Sequence, residues 1–258
     1  FCLMGARQSI ECDLQQLIEL TRKGDLVELE LRLQQQRFQA VINVRDSDGW
    51  TPLHWASCFK SSAIPILLKY GADIHMKDND GSTPLHLVCR HCKTKGTRAL
   101  INAGADVNSE DNFKRTPLHR AARFGTALSI KMLVVAGAEV DHPDKDQKTP
   151  LYFASYHRRS DNVKILLDND AFVYHCDVQN NSPFTITQKH YQEHEGKGAS
   201  ARIMKLMQKA SPEPSQVPSL KQMCRRFIQT NRDLFQPTQE ELPKELFRYL
   251  GFTPLVSV

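Results

Sequence analysis

His86, Cys89, His91 and Cys92 place four side chains able to ligate zinc within seven residues. Thiolate and imidazole are the donors a structural zinc site uses, and it needs four of them in a tetrahedron. The segment, however, reads as a helix entered at Pro84. On a helix, His86, Cys89 and either His91 or Cys92 cannot all converge, because only residues three or four apart share a face. No metal and no cofactor are expected. No Gly-rich phosphate loop, nucleophile elbow or metalloprotease motif occurs elsewhere. The chain is expected to be non-catalytic.

The elements that carry these residues recur. Thr83-Pro84-Leu85-His86 has counterparts at Thr51-Pro52-Leu53-His54, Thr116-Pro117-Leu118-His119, Thr149-Pro150-Leu151-Tyr152 and Ser182-Pro183-Phe184-Thr185, spaced by 32 residues once and by 33 thereafter. A second ladder runs in phase through Gly71-Ala72-Asp73, Gly104-Ala105-Asp106, Gly137-Ala138-Glu139 and a decayed Asp170-Ala171-Phe172. A third is the aspartate five residues ahead of each tetrapeptide, at Asp46, Asp78, Asp111, Asp144 and Asp177. A fixed period of about 33 residues with this tetrapeptide resembles ankyrin repeats.

Each unit has a physical plan. The loop before the tetrapeptide, such as Asp46-Ser47-Asp48-Gly49, carries hairpin-turn chemistry. Thr caps a helix whose first position is Pro, Leu enters the core, and His is expected to hydrogen-bond backbone in neighbouring turns. A second helix follows and ends at a left-handed Gly. Residues 1–45 read as a degenerate capping repeat: Leu14, Leu17, Ile18 and Leu20 form one helical face, and Leu26, Leu29, Leu31 and Leu33 another, with a break at Lys23-Gly24-Asp25. Residues 46–210 hold about five repeats, the last one degenerate. The fold class is all-α, a solenoid of helix-turn-helix repeats with β-hairpin loops, closed by a small C-terminal helical element.

That element follows a linker at 211–218 with three prolines in eight residues. In residues 219–258, Leu220, Met223, Cys224, Phe227 and Ile228 share one helical face. Ser219-Leu220-Lys221-Gln222-Met223-Cys224-Arg225-Arg226-Phe227-Ile228 resembles the elongin-binding box of a SOCS box. Leu242, Pro243, Leu246 and Tyr249 resemble its cullin-binding tail, although Glu240-Glu241 stand where that family has its first Leu-Pro. Repeats followed by such a box resemble the ankyrin-repeat and SOCS-box family. The resemblance implies a substrate-recognition subunit of an elongin–cullin–RING ubiquitin ligase. Its partners would be elongin B and elongin C, a cullin (five ahead of two) with its RING protein, and a target protein. The alternative is a non-ligase ankyrin scaffold with a C-terminal helical cap.

The resemblance also places positions five, eight and nine of each tetrapeptide helix on the concave face that meets a target. These positions supply Trp55, Phe59, Arg90, Arg120, Arg123, Phe124 and Tyr156, and Trp50 joins them from the first turn. Trp, Tyr and Arg are the types that anchor protein interfaces, so an acidic, partly apolar protein segment is the expected ligand. Packing between repeats competes for the aromatic residues, and plain solvation for the arginines.

Composition narrows the remaining classes. Lys and Arg number 34 against 29 Asp and Glu, a formal charge of +5 that is mild for a nucleic-acid binder. No run of 18 apolar residues exists, so no membrane partner is expected. Phe1-Cys2-Leu3-Met4 lacks the basic and apolar regions of a signal peptide. Seven irregularly spaced cysteines suit a reducing compartment, hence an intracellular location, cytoplasmic or nuclear.

Overall fold

A computed structural model describes residues 2–193 and 197–210, all within the first of two units into which the chain divides at Ala210 and Ser211. It opens with α1 (Cys2–Lys23), α2 (Leu26–Leu33) and the short α3 (Gln36–Gln39). Four helix pairs follow: α4 (Pro52–Cys58) with α5 (Ile64–Lys69), α6 (Pro84–Arg90) with α7 (Thr94–Asn102), α8 (Pro117–Phe124) with α9 (Ala127–Val135), and α10 (Pro150–Tyr156) with α11 (Ser160–Asp168). A closing pair, α12 (Pro183–Glu193) and α13 (Gly198–Ala210), ends the described stack. Helices α1, α4, α6, α8, α10 and α12 pack in sequence as one layer, and α5, α7, α9, α11 and α13 as the other.

The two layers meet on apolar residues at fixed positions. Leu53, Leu85, Leu118 and Leu151 point from the first helices, and Ile64, Leu67, Leu100, Ile130, Leu133, Val163 and Leu166 from the second, each buried. Every repeat therefore buries its core only against its neighbours, as in other solenoids. In the N-terminal unit Leu14, Leu17, Ile18, Leu29 and Leu33 are buried as the periodicity requires. Leu31 is not; it is 53% exposed. It lies five residues from Leu26, about 140° round the cylinder, while Leu29 and Leu33 keep the inward face. Its place in the core is taken by Phe38 on α3, with Val41 and Ile42 beside it.

The tetrapeptide closes each first helix at its N-terminus. Thr51, Thr83 and Thr116 form capping boxes with the histidine three residues on. The backbone N–H of each threonine donates to Nδ1 of that histidine, at 3.2, 3.1 and 3.0 Å. Nδ1 is thus an acceptor, which puts the ring proton on Nε2. Nε2 then donates to a carbonyl of the next repeat: His54 to Ser82 at 3.1 Å, His86 to Arg115 at 2.8 Å and His119 to Lys148 at 3.1 Å. In each case the acceptor is the residue just before the next threonine, so one side chain caps its own helix and sets the spacing of the next.

The loops depart from the hairpins expected from sequence: no strand occurs among the described residues. The aspartate of each loop explains the difference. Its N–H bonds the carbonyl four residues on, as in Asp46 to Trp50 at 2.9 Å and Asp111 to Arg115 at 2.9 Å. Its Oδ1 accepts two further loop N–H groups, those of Asp48 and Trp50 for Asp46 and of Phe113 and Arg115 for Asp111. A side chain satisfies the donors that a second strand would otherwise take. Consecutive loops are joined by single backbone bonds, such as Asn79 N–H to Asp48 O at 3.3 Å and Asn112 N–H to Asp80 O at 2.9 Å.

Candidate functional site

The residues singled out for target binding fall into two groups on the face of the first helices. In the first, Trp50 meets Trp55 edge-on with ring centres 4.9 Å apart, and Trp55 stacks on Phe59 at 5.5 Å. Trp55 is fixed at its polar end, where Nε1 donates to Asp46 Oδ2 at 2.8 Å. Arg22, in the last turn of α1, lays its guanidinium over both rings, 5.1 Å from Trp55 and 5.3 Å from Phe59. Phe59 nonetheless remains 45% exposed. Arg22 was not legible as part of this group, because it belongs to no repeated position.

The second group lies on α6, α8 and α10. Arg120 donates through Nη2 to Asp111 Oδ2 at 2.7 Å, and Arg115 through Nε to Asp144 Oδ2 at 3.2 Å. Arg115 also stacks on Phe113 and Phe153, 5.1 and 5.3 Å from their ring centres. Simple solvation is therefore not the fate of Arg120, whose cation is already matched inside the fold. Arg90 and Arg123 differ from it. Arg90 is exposed at the end of α6. Arg123 lies 4.6 Å over the Phe124 ring, and its buried Nε has no acceptor among the described residues. Burial, and after it the charges of Arg115, Arg120 and Arg90, hold the Arg123 pKa below the usual arginine range. Phe124 stacks on His157 at 6.4 Å, and Tyr156, 53% exposed, meets His157 edge-on at 5.2 Å.

The third sequence ladder acquires a second role here. Oδ1 of the aspartates organises the loops, while Oδ2 of Asp46, Asp111 and Asp144 holds side chains of the candidate face. A further set of residues went unread. Asn43 donates to Gly71 O at 3.0 Å and accepts from Asp73 N–H at 2.7 Å. Asn108 repeats the pair of bonds with Gly137 O and Glu139 N–H at 3.1 and 2.9 Å. Asp141 accepts from Phe172 N–H at 3.0 Å. These residues stand eight ahead of their tetrapeptides, a spacing that was available in the sequence.

The four zinc-type side chains diverge. Both ring nitrogens of His86 are engaged, by Thr83 N–H and Arg115 O. Cys89 is fully buried, and burial pushes its thiol up to about 12. Cys92, at φ +57°, donates through Sγ to Phe124 O at 2.7 Å, and His91 is exposed. Among the described residues no group of three His, Cys, Asp or Glu side chains is arranged to hold a metal ion.

A layered stack of capped helix pairs, each tied to the next through side-chain bonds, is a repeat scaffold for protein interaction. The family model described as Ankyrin repeats (3 copies) matches residues 14–111 and 96–180, and the chain belongs to the ankyrin-repeat family. No curated protein matches it. Ankyrin-repeat proteins are generally non-catalytic and bind some protein partner. No helix among the described residues is long and apolar enough to cross a membrane. Leu220, Met223, Cys224, Phe227 and Ile228, with Leu242, Pro243, Leu246 and Tyr249, lie outside the described residues.

Proposed function

We propose that this chain is the substrate-recognition subunit of an elongin–cullin–RING ubiquitin ligase. One observation carries the reading. An ankyrin array is followed by a proline linker and then by a ten-residue stretch, Ser219 to Ile228, that meets each position of the elongin-binding box. Leu220 would serve as the apolar anchor in elongin C, with Met223, Cys224, Phe227 and Ile228 packing beside it. Truncating such an anchor typically costs about 2–5 kcal/mol. Leu242, Pro243, Leu246 and Tyr249 would face the cullin. Cullin five stands ahead of cullin two by the family resemblance, and Glu240-Glu241 in place of the first Leu-Pro counts against it.

The repeats would hold the target, through Trp50, Trp55 and Phe59 at one end of the face and Arg90, Arg120, Arg123, Phe124 and Tyr156 at the other. An exposed aromatic surface beside unmatched arginines suits an acidic, partly apolar protein segment. The second reading, a non-ligase scaffold, is equally compatible with the ankyrin match over residues 14–180. Co-purification with elongin B and elongin C separates the two. Capture by the wild type that is lost in Leu220→Ala with Cys224→Ala supports the ligase subunit, and adding each cullin then identifies its partner. Failure of the wild type to capture elongins leaves the scaffold.

A further inference from the structure

Arg90, Arg115, Arg120 and Arg123 lie on α6, α8 and the loop before α8, and among the described residues only Arg115 and Arg120 pair with carboxylates. Asp111 and Asp144 match Arg120 and Arg115, and each aspartate also accepts two loop N–H groups through its other oxygen. Arg90 and Arg123 occupy the same position of two consecutive first helices that pack on each other. Among the described residues neither has a carboxylate partner. Arg123 also carries a buried Nε–H that has no acceptor among the described residues. A buried donor left unpaired beside unbalanced like charges is a cost that folding by itself does not offset. An anion supplied from outside would reduce the charge imbalance.

We propose that Arg90 and Arg123 form the recognition point for a doubly negative group on the bound protein segment, either a phosphorylated side chain or two adjacent carboxylates. Arg90 and Arg123 leave two guanidiniums without a carboxylate partner among the described residues, and the planar guanidinium fork suits phosphate and carboxylate oxygens alike. Phe124 and exposed Tyr156, beside the pair, take the apolar neighbour of that group. This assignment rests on the reading of the first-helix face as the target site and is independent of the ligase reading.

The test uses the full chain and three fluorescein-labelled peptides that share flanking leucine and phenylalanine. One carries a central phosphoserine, one two glutamates and one two glutamines. At least one dianionic peptide should bind roughly ten-fold more tightly than the glutamine peptide. That advantage should fade as ionic strength rises and should disappear in Arg90→Gln with Arg123→Gln. Preference for phosphoserine over glutamates identifies a phosphorylated source, and equal affinity or the reverse preference a carboxylate source. Arg90→Gln alone, at an exposed position, serves if the double variant melts early, and should remove a large part of the advantage. Equal binding by all three peptides, or an advantage that survives the substitutions, overturns the anion point and leaves a protein-binding face. Binding by none of them overturns both.

Discussion

Arg120 and Asp111, nine residues apart, are joined at 2.7 Å with the carboxylate side chain fully buried and the arginine 13% exposed. Trp55 and Asp46 are joined in the same way at the same separation, at 2.8 Å. A loop and the helix that follows it are thus bolted together through a residue of the candidate face. The same aspartate that shapes the loop orients the side chain beside it.

Removing the arginine should therefore cost stability before it touches recognition. Arg120→Ala leaves a buried carboxylate oxygen without its cation and is expected to lower unfolding free energy by about 2–4 kcal/mol. Arg90→Ala, at an exposed position with no carboxylate partner among the described residues, should stay within about 0.5 kcal/mol. Urea denaturation of the two variants measures the contrast, and equal midpoints would contradict it.

The glycines of the loops should separate into two classes. A Cβ on Gly49 would lie 2.5 Å from Asn79 Oδ1 and 2.8 Å from Asn79 N, and one on Gly81 would lie 2.7 Å from Asn112 N. Gly71, at φ +87°, has no described atom within 4 Å of such a Cβ. Gly71→Ala should cost only the left-handed strain, about 1 kcal/mol. Gly49→Ala and Gly81→Ala add a clash with the next loop's backbone and should exceed about 2 kcal/mol. Thermal melts of the three variants rank them.

Stability should fall as pH drops from neutrality. Burial is the leading cause that lowers the pKa of His54, His86 and His119, to about 4 for His86 and about 3 for His119. An unfolded histidine titrates near 6.5. Above that value both states are neutral and stability is complete. Below it the unfolded chain gains protons that the folded rings refuse, so stability declines until the folded values are reached. At pH 5 the loss should be on the order of 1–2 kcal/mol for each of His86 and His119. A urea midpoint that stays flat between pH 7 and pH 5 would refute the neutral, doubly bonded state of these rings.

Metal and thiol reagents should find little at the His86 to Cys92 segment. Chelator or added zinc is expected to leave the melting temperature unchanged, because His86 is bonded at both ring nitrogens and Cys89 is fully buried, so neither turns outward without opening a repeat. Under native conditions a thiol reagent should modify the exposed Cys12, Cys92 and Cys176 and spare Cys58 and Cys89, whose thiols burial pushes up to about 12. Mass spectrometry of the labelled peptides reads the pattern. Rapid modification of Cys89, or a zinc-dependent rise in melting temperature, would show that this segment opens or binds metal.

The sequence by itself determined the repeat period, the capped entry of each first helix and the glycine that ends the second, Asp170 at φ +62° marking where that glycine decays. These are local rules: a cap, a proline and a left-handed residue act within one turn of chain, so they recur at fixed spacing and can be counted. The tertiary structure decided how the candidate face is wired. It placed Arg22 over Trp55, gave Arg120 to Asp111 and Arg115 to Asp144, and left Arg90 and Arg123 unmatched among the described residues. Side chains of the same type at repeated positions differ in this respect because their partners come from another loop or helix. The offset between stacked repeats brings Arg115 to Asp144, whereas the packing of a loop on its own helix brings Arg120 to Asp111.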